Sequence, residues 1–432
     1  MPAKDQTCYA FIQRPGTFEW VACGVLTVTE TGKNAYRGIF QYGRSYLARQ
    51  SAPSLDPYNL PLSDRPQEFT KLKGIPGALR DASPDDWGRR VIQARLGLPE
   101  ADVSEIDYLL NGPDDGAGNL RFGLSPKPPT TSGPFNRTHR LQALTETAQE
   151  LEESGKLAHE VLEQLEPGTS MGGARPKVTI EDDNHLWLTK LPERNDRLNM
   201  QRIEYATLEL ARFVGLDVCA TRIEKVGSRD ALMLQRFDRQ WHADAKAYAR
   251  FGLVSGLTVL DAEDGYQGRD RWSYLLLADE LRRWSSRPEQ DRIELFRRMV
   301  FNAMVTNNDD HPRNHALLQF EGSWRLSPAY DIVPVPATSK ERRDLALQVG
   351  TFGRAASIYN LLSQPEVFGL SVEGARAEID RMREKVARWQ DIFRKHGVCG
   401  VDIDAITPAM LPESFERTEP PDPTAIPWHP AS

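Results

Sequence analysis

Asn307, Asn308, Asp309, Asp310, His311, Pro312, Arg313 and Asn314 follow one another in the chain. This short stretch holds two acids, a histidine and amide side chains able to ligate a cation. Asp309 and Asn314 stand five positions apart. At that spacing an Asp can take the proton of an attacking hydroxyl while the Asn holds Mg²⁺, a division of labour used in phosphoryl transfer. A further acid, Asp331, follows in Tyr330-Asp331-Ile332. Leu317–Phe320 and Trp324–Leu326 read as two short strands turning at Glu321-Gly322-Ser323. Such a hairpin folds Asp331 back beside Asn314. The competing account is an Asx-rich turn closed by its own side-chain hydrogen bonds.

The loop needs a rigid base. Arg292 to Val305 supplies one: Ile293, Phe296, Val300 and Ala303 share a helix face, and the helix ends where the loop begins. Upstream lies a glycine-rich stretch, Pro167 to Lys177, containing Gly172, Gly173 and Ala174. Glycines let backbone amides approach phosphate oxygens closely. No Walker A pattern is present, and a flexible loop explains the glycines equally well. Val178–Ile180 and His185–Leu191 read as strands about a turn at Glu181–Asn184, which carries Lys190 back over the loop. Met200 to Val214 reads as a helix with Ile203, Ala206, Leu210 and Phe213 inward and Gly215 as its C-cap. Glu204 is one residue off that face. It can pair with Lys190, as a helix glutamate pairs with a strand lysine in kinases, or stand as a surface acid. Val218–Val226 and Ala231–Phe237 form a hairpin around Gly227-Ser228. Glycine loop, strand lysine, helix glutamate and hairpin thus come in the order of a protein-kinase N-lobe.

The bulk numbers bound the rest. A chain of 432 residues exceeds one core, so two or three domains are expected. A net charge of −7 argues against the chain gripping nucleic-acid phosphates by itself. Cys8, Cys23, Cys219 and Cys399 are scattered, with no CxxC pair, which suggests neither a zinc site nor a disulfide framework and points to a reducing cytoplasm. The polar start and the lack of an apolar run near about 18 residues argue against secretion and membrane insertion. Residues 7–28 alternate around Gly16 and Gly24 as in a β-meander. Ser83-Pro84-Asp85-Asp86 reads as a helix start, with Ser83 as N-cap and Pro84 at the first position. Asp114 to Gly118 reads as a turn, because Arg121 stands where a third phosphate-loop glycine belongs. The expected layout is an N-terminal domain over 1–125, a Pro-rich linker over 126–140 and a kinase N-lobe-like part over 141–238. A helical C-lobe follows over 239–411, and then a disordered tail over 412–432. Leu141 to Leu165 reads as two helices broken near Gly155; Tyr274–Trp284, Ile358–Leu362 and Val372–His396 complete the helical set. The fold class is α+β: a kinase-like bilobal fold with a β-rich N-terminal subdomain and a mostly helical C-terminal lobe.

In this order the motifs resemble the HipA family, the kinase toxins of bacterial type II toxin–antitoxin modules, over nearly the whole chain. Ser170 to Lys177 resembles the family's Ser-x-x-Gly-x-x-x-Lys loop, and Leu188-Thr189-Lys190-Leu191-Pro192 its lysine strand. Ile203-Glu204-Tyr205 is similar to its helix, and Arg236-Phe237-Asp238-Arg239 to its hinge. Asn308 to Asn314 resembles its Asp-x-His-x-Lys-Asn loop, and Tyr330-Asp331-Ile332 its metal motif. Tyr46-Leu47 through Leu60-Pro61-Leu62, Leu79 to Asp86 and Asp115 to Gly118 fit its N-terminal part. There are departures. Gln235 replaces a Glu, which alters an adenine-side contact. Arg313 replaces a Lys, keeping charge but not geometry. Pro312 stiffens the loop.

The resemblance implies a serine/threonine protein kinase using ATP and Mg²⁺. It implies a protein substrate in translation, an aminoacyl-tRNA synthetase being the leading candidate. It also implies a small helix-turn-helix, HipB-like antitoxin that makes the DNA contact. In that frame Asp309 accepts the hydroxyl proton, while Asn314 and Asp331 hold Mg²⁺. Lys190 and the amides from Gly172 through Gly173 and Ala174 to Lys177 hold the phosphates. Gln235, Arg236 and Phe237 frame the nucleotide, and His311 orients the loop through a hydrogen bond. Ser170 is the expected site of self-phosphorylation, against the plainer account of a turn cap. Two rivals stand beside this one. A metal-dependent phosphohydrolase built on Asp310-His311 needs further histidines, and only His315 is near in sequence. A catalytically silent co-repressor scaffold is expected to have lost Asp309, Asn314 or Asp331, and all three are present.

Overall fold

Alternation near the N-terminus becomes an antiparallel sheet. β1 (Asp5–Gln13), β2 (Trp20–Gly32), β3 (Ala35–Tyr42), β4 (Gln67–Phe69) and β5 (Leu120–Gly123) pair in the order β4-β3-β2-β1-β5. Cys8, Ala10 and Ile12 of β1, Leu26 and Val28 of β2, and Phe40 and Tyr42 of β3 are buried. That is the period-2 face of a sheet packed on one side. The computed structural model describes residues 5–14, 16–130, 134–155, 162, 165, 173–320, 322–336 and 343–420.

The helix that follows spans Asp86–Leu96, and its cap is Asp85, whose carboxylate accepts from Gly88 N at 2.9 Å. Ser83, the expected cap, lies two residues too early, and its hydroxyl instead faces Arg89. A second sheet contains β6 (Asn136–Arg137), β7 (Lys177–Asp182), β8 (His185–Lys190), β9 (Thr221–Val226) and β10 (Arg229–Gln235), ordered β6-β7-β8-β10-β9. The linker is therefore shorter than 126–140. Asn136 and Arg137 pair in parallel with Ile180 and Glu181, and an Arg137–Glu181 ion pair at 2.8 Å holds that edge. The helix Leu141–Ser154 stops at Gly155 (φ 64°), as expected of a left-handed C-cap. Of the helix expected beyond it only Leu162 and Leu165 are described; both are buried against Trp87, Val178 and Ile180.

The helix Met200–Val214 lies against the second sheet and buries Ile203, Ala206, Leu210 and Glu204. Phe213, placed inward by helical spacing, is instead 40% exposed, while Val214 is buried. Four residues after Leu210, Val214 returns to the buried stripe, and Phe213 falls one step short. A ribbon of β11 (Arg239–His242) and β12 (Ala247–Arg250) leads to a three-stranded sheet, β13 (Gly252–Ser255), β14 (Ala316–Phe320) and β15 (Ser323–Leu326), in sequence order. The helices Tyr274–Trp284 and Pro288–Val305 pack beside it; Pro288 opens the second one turn earlier than expected, at a position that suits proline. The stretch expected as one helix over Val372–His396 is two, Val372–Val386 and Trp389–Lys395.

The tail expected to be disordered from 412 is ordered through its first part. Phe415 is fully buried, Ile358 N donates to Phe415 O at 2.9 Å, and Tyr359 N donates to Arg417 O at 3.0 Å. One aromatic anchor outweighs the proline-rich, acidic composition around it. Residues 421–432 lie outside the described set. Among the described residues no helix is long and apolar enough to cross a membrane.

Candidate active site

The β7–β8 register places Lys177 directly opposite Lys190. Opposed residues of an antiparallel pair project on one face, and like charges there repel, so each ammonium needs its own acid. Lys190 Nζ donates to Glu204 Oε1 at 2.7 Å and also pairs with Asp331 Oδ1. Lys190 and Glu204 are both buried. Burial alone lowers the proton affinity of Lys190, but Asp331 and Glu204 outweigh it and hold the ammonium above the ordinary lysine range. Burial pushes the Asp331 carboxyl up; Lys190 overcomes that and leaves it below the ordinary carboxylate range. Asp331 is thus held ionised, and its backbone adopts a left-handed φ of 57°, uncommon for a residue with a Cβ.

Lys177 takes a different acid. Its Nζ pairs with Asp85 and donates to Gly173 O at 2.8 Å, and the residue is 1% exposed. Its side chain is therefore turned toward the N-terminal subdomain. Arg90 donates to Ala174 O and Trp87 Nε1 to Lys177 O at 3.1 Å, so the helix Asp86–Leu96 grips this end of the glycine loop. Gly173, at φ 94°, sits against Lys177 Nζ. Ser170 and Gly172 lie outside the described residues.

The helix Pro288–Val305 delivers the Asn307–Asn314 loop through Thr306, in a left-handed turn and bonded from Oγ1 to Ala409 O at 2.6 Å. The two adjacent acids then part. Asp310 is buried, pairs with the Tyr274 hydroxyl, and stands 3.1 Å from His315 Nε2. Tyr274 Oη in turn accepts from Asn302 Nδ2 at 3.0 Å, and Asn307 Nδ2 donates to Asn302 Oδ1 at 3.2 Å. Asp309 is exposed, and no described residue pairs with its carboxylate. Asp310 therefore shapes the loop, and the Asp309 carboxylate is left open to solvent. Neither Asp310 nor Tyr274 stood out by spacing as a loop anchor.

His311 does not orient the loop through Nδ1, which is buried without a partner. The backbone does: His311 N donates to Asp309 O at 2.8 Å and Asn314 N to His311 O at 2.9 Å. Asn314 Nδ2 donates to Asp309 O at 3.2 Å, while its Oδ1 is buried and unpaired. Tyr330 Oη donates to Arg313 O at 2.7 Å, which joins the residue before Asp331 to the residue before Asn314. An unpaired amide oxygen and an ionised carboxylate are oxygen donors of the kind that could hold Mg²⁺. Among the described residues there is no group of three or more His, Cys, Asp and Glu that could hold a metal ion.

Beside Lys190 lies a narrow cleft of about 30 Å³ whose wall includes Leu188, Cys219, Gln235, Phe237, Tyr330 and Asp331. The Phe237 and Tyr330 rings are 5.7 Å apart. Arg236 also lines it, but its guanidinium is committed elsewhere: Nη1 to Asp115 Oδ2 at 2.6 Å, and Nε and Nη2 to Asp238 at 3.0 and 2.8 Å. Asp115 also meets Arg239 at 3.3 Å. The Asp114–Gly118 turn is thus a docking point for the Arg-Phe-Asp-Arg segment. Asp85, Asp115 and Cys219 carried no spacing signal of their own; only the clustering of Leu79–Asp86 and Asp115–Gly118 marked two of those stretches.

A family model described as the HipA-like C-terminal domain matches residues 169–390, and one described as the HipA N-terminal domain matches residues 21–123. Two curated proteins of Sinorhizobium fredii, "Putative kinase Y4mE" and "Putative kinase Y4dM", are 27% identical over 149 residues and 26% identical over 232 residues. Those alignments cover 34% and 50% of this chain, and 35% and 53% of the two relatives, so the chain spans about half of their length or less. The HipA chain of the Shewanella oneidensis MR-1 HipA, HipB and operator DNA complex matches with a TM-score of 0.63 at 17% identity, covering 86% of this chain and 89% of that one. That likeness is one of fold. The C-terminal match alone takes in more than half of the chain, from residue 169 to residue 390, and the protein belongs to the HipA family.

Proposed function

We propose that this chain is an ATP- and Mg²⁺-dependent serine/threonine protein kinase and the toxin of a toxin–antitoxin pair. The observation that carries the reading is Lys190 held between Glu204, at 2.7 Å, and Asp331. A lysine fixed between a helix acid and a metal-motif acid is positioned for the α- and β-phosphates of ATP. Asp309, exposed and unpaired, orients a substrate hydroxyl and takes its proton. Asn314 Oδ1 and Asp331 hold Mg²⁺, which, when bound, supplies neutralisation of the phosphate charge. Leu188, Gln235, Phe237 and Tyr330 line the narrow cleft beside Lys190, on the side where the base is to lie. The amides of the glycine loop are offered to the phosphates, and its described Gly173–Lys177 end is anchored on the N-terminal subdomain.

Three finer parts of the proposal rest on the family resemblance. The substrate is a protein of the translation apparatus, an aminoacyl-tRNA synthetase being the leading candidate. The partner is a small HipB-like helix-turn-helix antitoxin, through which the complex reaches DNA. Ser170 modifies itself; a phosphate there brings about −1.5 to −2 charges to the loop that must cradle ATP, which closes the site to nucleotide.

Incubation with terminally radiolabelled ATP and Mg²⁺ tests the assignment. Label on this chain or on an added cell-extract protein is the expected result. Release of free phosphate alone points to the hydrolase, and no turnover at all to the scaffold. Phosphoproteomics after induced expression, against an Asp309→Ala control, names the substrate. Mass mapping then locates the self-phosphorylation, with ATP affinity falling in proportion to Ser170 occupancy.

A further inference from the structure

Arg250 ends β12 and is 8% exposed. Its guanidinium lies 4.9 Å from the centre of the Trp20 ring, while Arg121 stands 4.5 Å from that ring. Nη1 of Arg250 is buried with no hydrogen-bond partner among the described residues. The acids around it are already engaged. Asp115 and Asp238 take Arg236 and Arg239. Asp114 lies against Arg121, its carboxylate at 3.8 Å. Glu181 accepts from Tyr248 Oη at 2.8 Å and pairs with Arg137 at 2.8 Å. Among the described residues Arg121, Arg236, Arg239 and Arg250 therefore face Asp114, Asp115 and Asp238, and one positive charge is left over. An arginine cannot shed that charge by losing a proton. A buried charge without a counter-ion is costly, and the protein has not paired this one internally.

Arg250 opens onto a cavity of about 400 Å³ whose lining includes Phe18, Trp20, Trp241 and Tyr248 and the already engaged acids Asp114 and Glu181. The Trp241 and Tyr248 rings are 4.9 Å apart, and Lys246 lies on the exposed rim. The cavity sits between the first and second sheets and shares no lining residue with the cleft beside Lys190. Its size is that of a pocket for a one- or two-ring molecule. We propose that it binds a small organic anion with a flat ring, the acid group on Arg250 and the ring among Trp20, Trp241 and Tyr248. A single surplus charge calls for a single acid group, which favours an aromatic carboxylate; a ring-bearing phosphate ester shares the chemistry.

Calorimetric titration of the full chain with naphthoate, AMP and acetate tests this. Naphthoate is expected to bind at one site at least about tenfold more tightly than ring-free acetate, and Arg250→Met to weaken it at least about tenfold. If AMP rather than naphthoate shows that dependence on Arg250, the ligand is the phosphate ester; AMP bound beside Lys190 is unaffected by Arg250→Met, so the two sites separate. Trp241→Ala, at a partly exposed position, is expected to weaken the ring-bearing anion and leave acetate unchanged. Arg250→Met itself is expected to keep or raise the melting temperature, because it removes an unpaired charge. Absence of saturable binding by either ring-bearing anion up to about 10 mM overturns the proposal. So does binding that ignores Arg250→Met, or a clear fall in melting temperature in that variant, which makes Arg250 a structural partner of Trp20.

Discussion

Arg313 donates from Nη1 to Asp81 Oδ1 at 2.9 Å, which ties the residue beside Asn314 to the N-terminal subdomain. Its Nε and Nη2 take the two oxygens of Asp264, each at 3.0 Å. Asp81 also accepts from Ser255 N at 2.6 Å and from Ser255 Oγ and Thr258 Oγ1 at 2.7 Å. The arginine at this position is spent on joining two parts of the chain, and only a planar fork spans both acids.

Arg313→Lys keeps the charge and loses the fork. One acid is left short of a partner, at an expected cost of about 2 kcal/mol in denaturant unfolding. Asp81→Asn removes the buried acceptor itself and is expected to cost about 3–5 kcal/mol. An Arg313→Lys protein that unfolds at the wild-type midpoint shows that the clamp contributes nothing to stability.

Asp309→Asn is expected to lower phosphoryl transfer by about 10²-fold or more, because base and orienting functions go together. Folding should not change, since the exposed carboxylate has no described partner. Asp310→Asn behaves differently: it disturbs the Tyr274 contact and lowers the melting temperature. If Asp309→Asn turns over near the wild-type rate, the free acid is not the one that acts.

Local signals carried the sequence reading well where structure is local. Met200–Val214 and Tyr274–Trp284 begin and end where expected because their ends are set nearby: Gly215 at φ 104°, and Ser273 Oγ accepting from Leu275 N and Leu276 N. The β14–β15 hairpin follows for the same reason, with Phe320 opposite Ser323. Partner choice across long separations was not legible. Nothing in Asp85 marks it as the acid for Lys177, and Asp309 and Asp310 differ only through the tertiary packing of Tyr274. The tail shows the same limit: composition argued for disorder, and burial of Phe415 decided otherwise.

Glu105 gives a pH dependence of known sign. Arg89 donates to Glu105 Oε1 at 3.0 Å and Lys73 stands at 3.1 Å. Burial raises the carboxyl; Arg89, Arg80 and Lys73 outweigh it and bring it from 4.5 to about 2. A depressed acid stabilises the fold above its unfolded value and loses that contribution as pH falls from 4.5 toward about 2. The shift corresponds to about 3 kcal/mol at neutral pH. Glu105→Gln is therefore expected to melt well below the wild type at pH 7, with the gap narrowing as the pH drops below 4.5. A gap that stays constant over that range assigns the loss to packing, not charge.

Asp331→Ala separates a metal ligand from a structural acid. Asp331 Oδ1 pairs with Lys190, yet a fifth of the Asp331 side chain stays exposed, which leaves it open to a cation. The second oxygen proposed for the cation is Asn314 Oδ1, buried and unpaired among the described residues. In the variant Lys190 keeps Glu204 at 2.7 Å and remains charged, so nucleotide binding without metal should survive. The Mg²⁺-dependent gain in ATP affinity should not, because the carboxylate acts through the cation. ATP titrations in Mg²⁺ and in EDTA read the two quantities separately. The expected result is a large loss in Mg²⁺ and a small one in EDTA. Equal losses in both would make Asp331 a brace for Lys190 and no ligand at all.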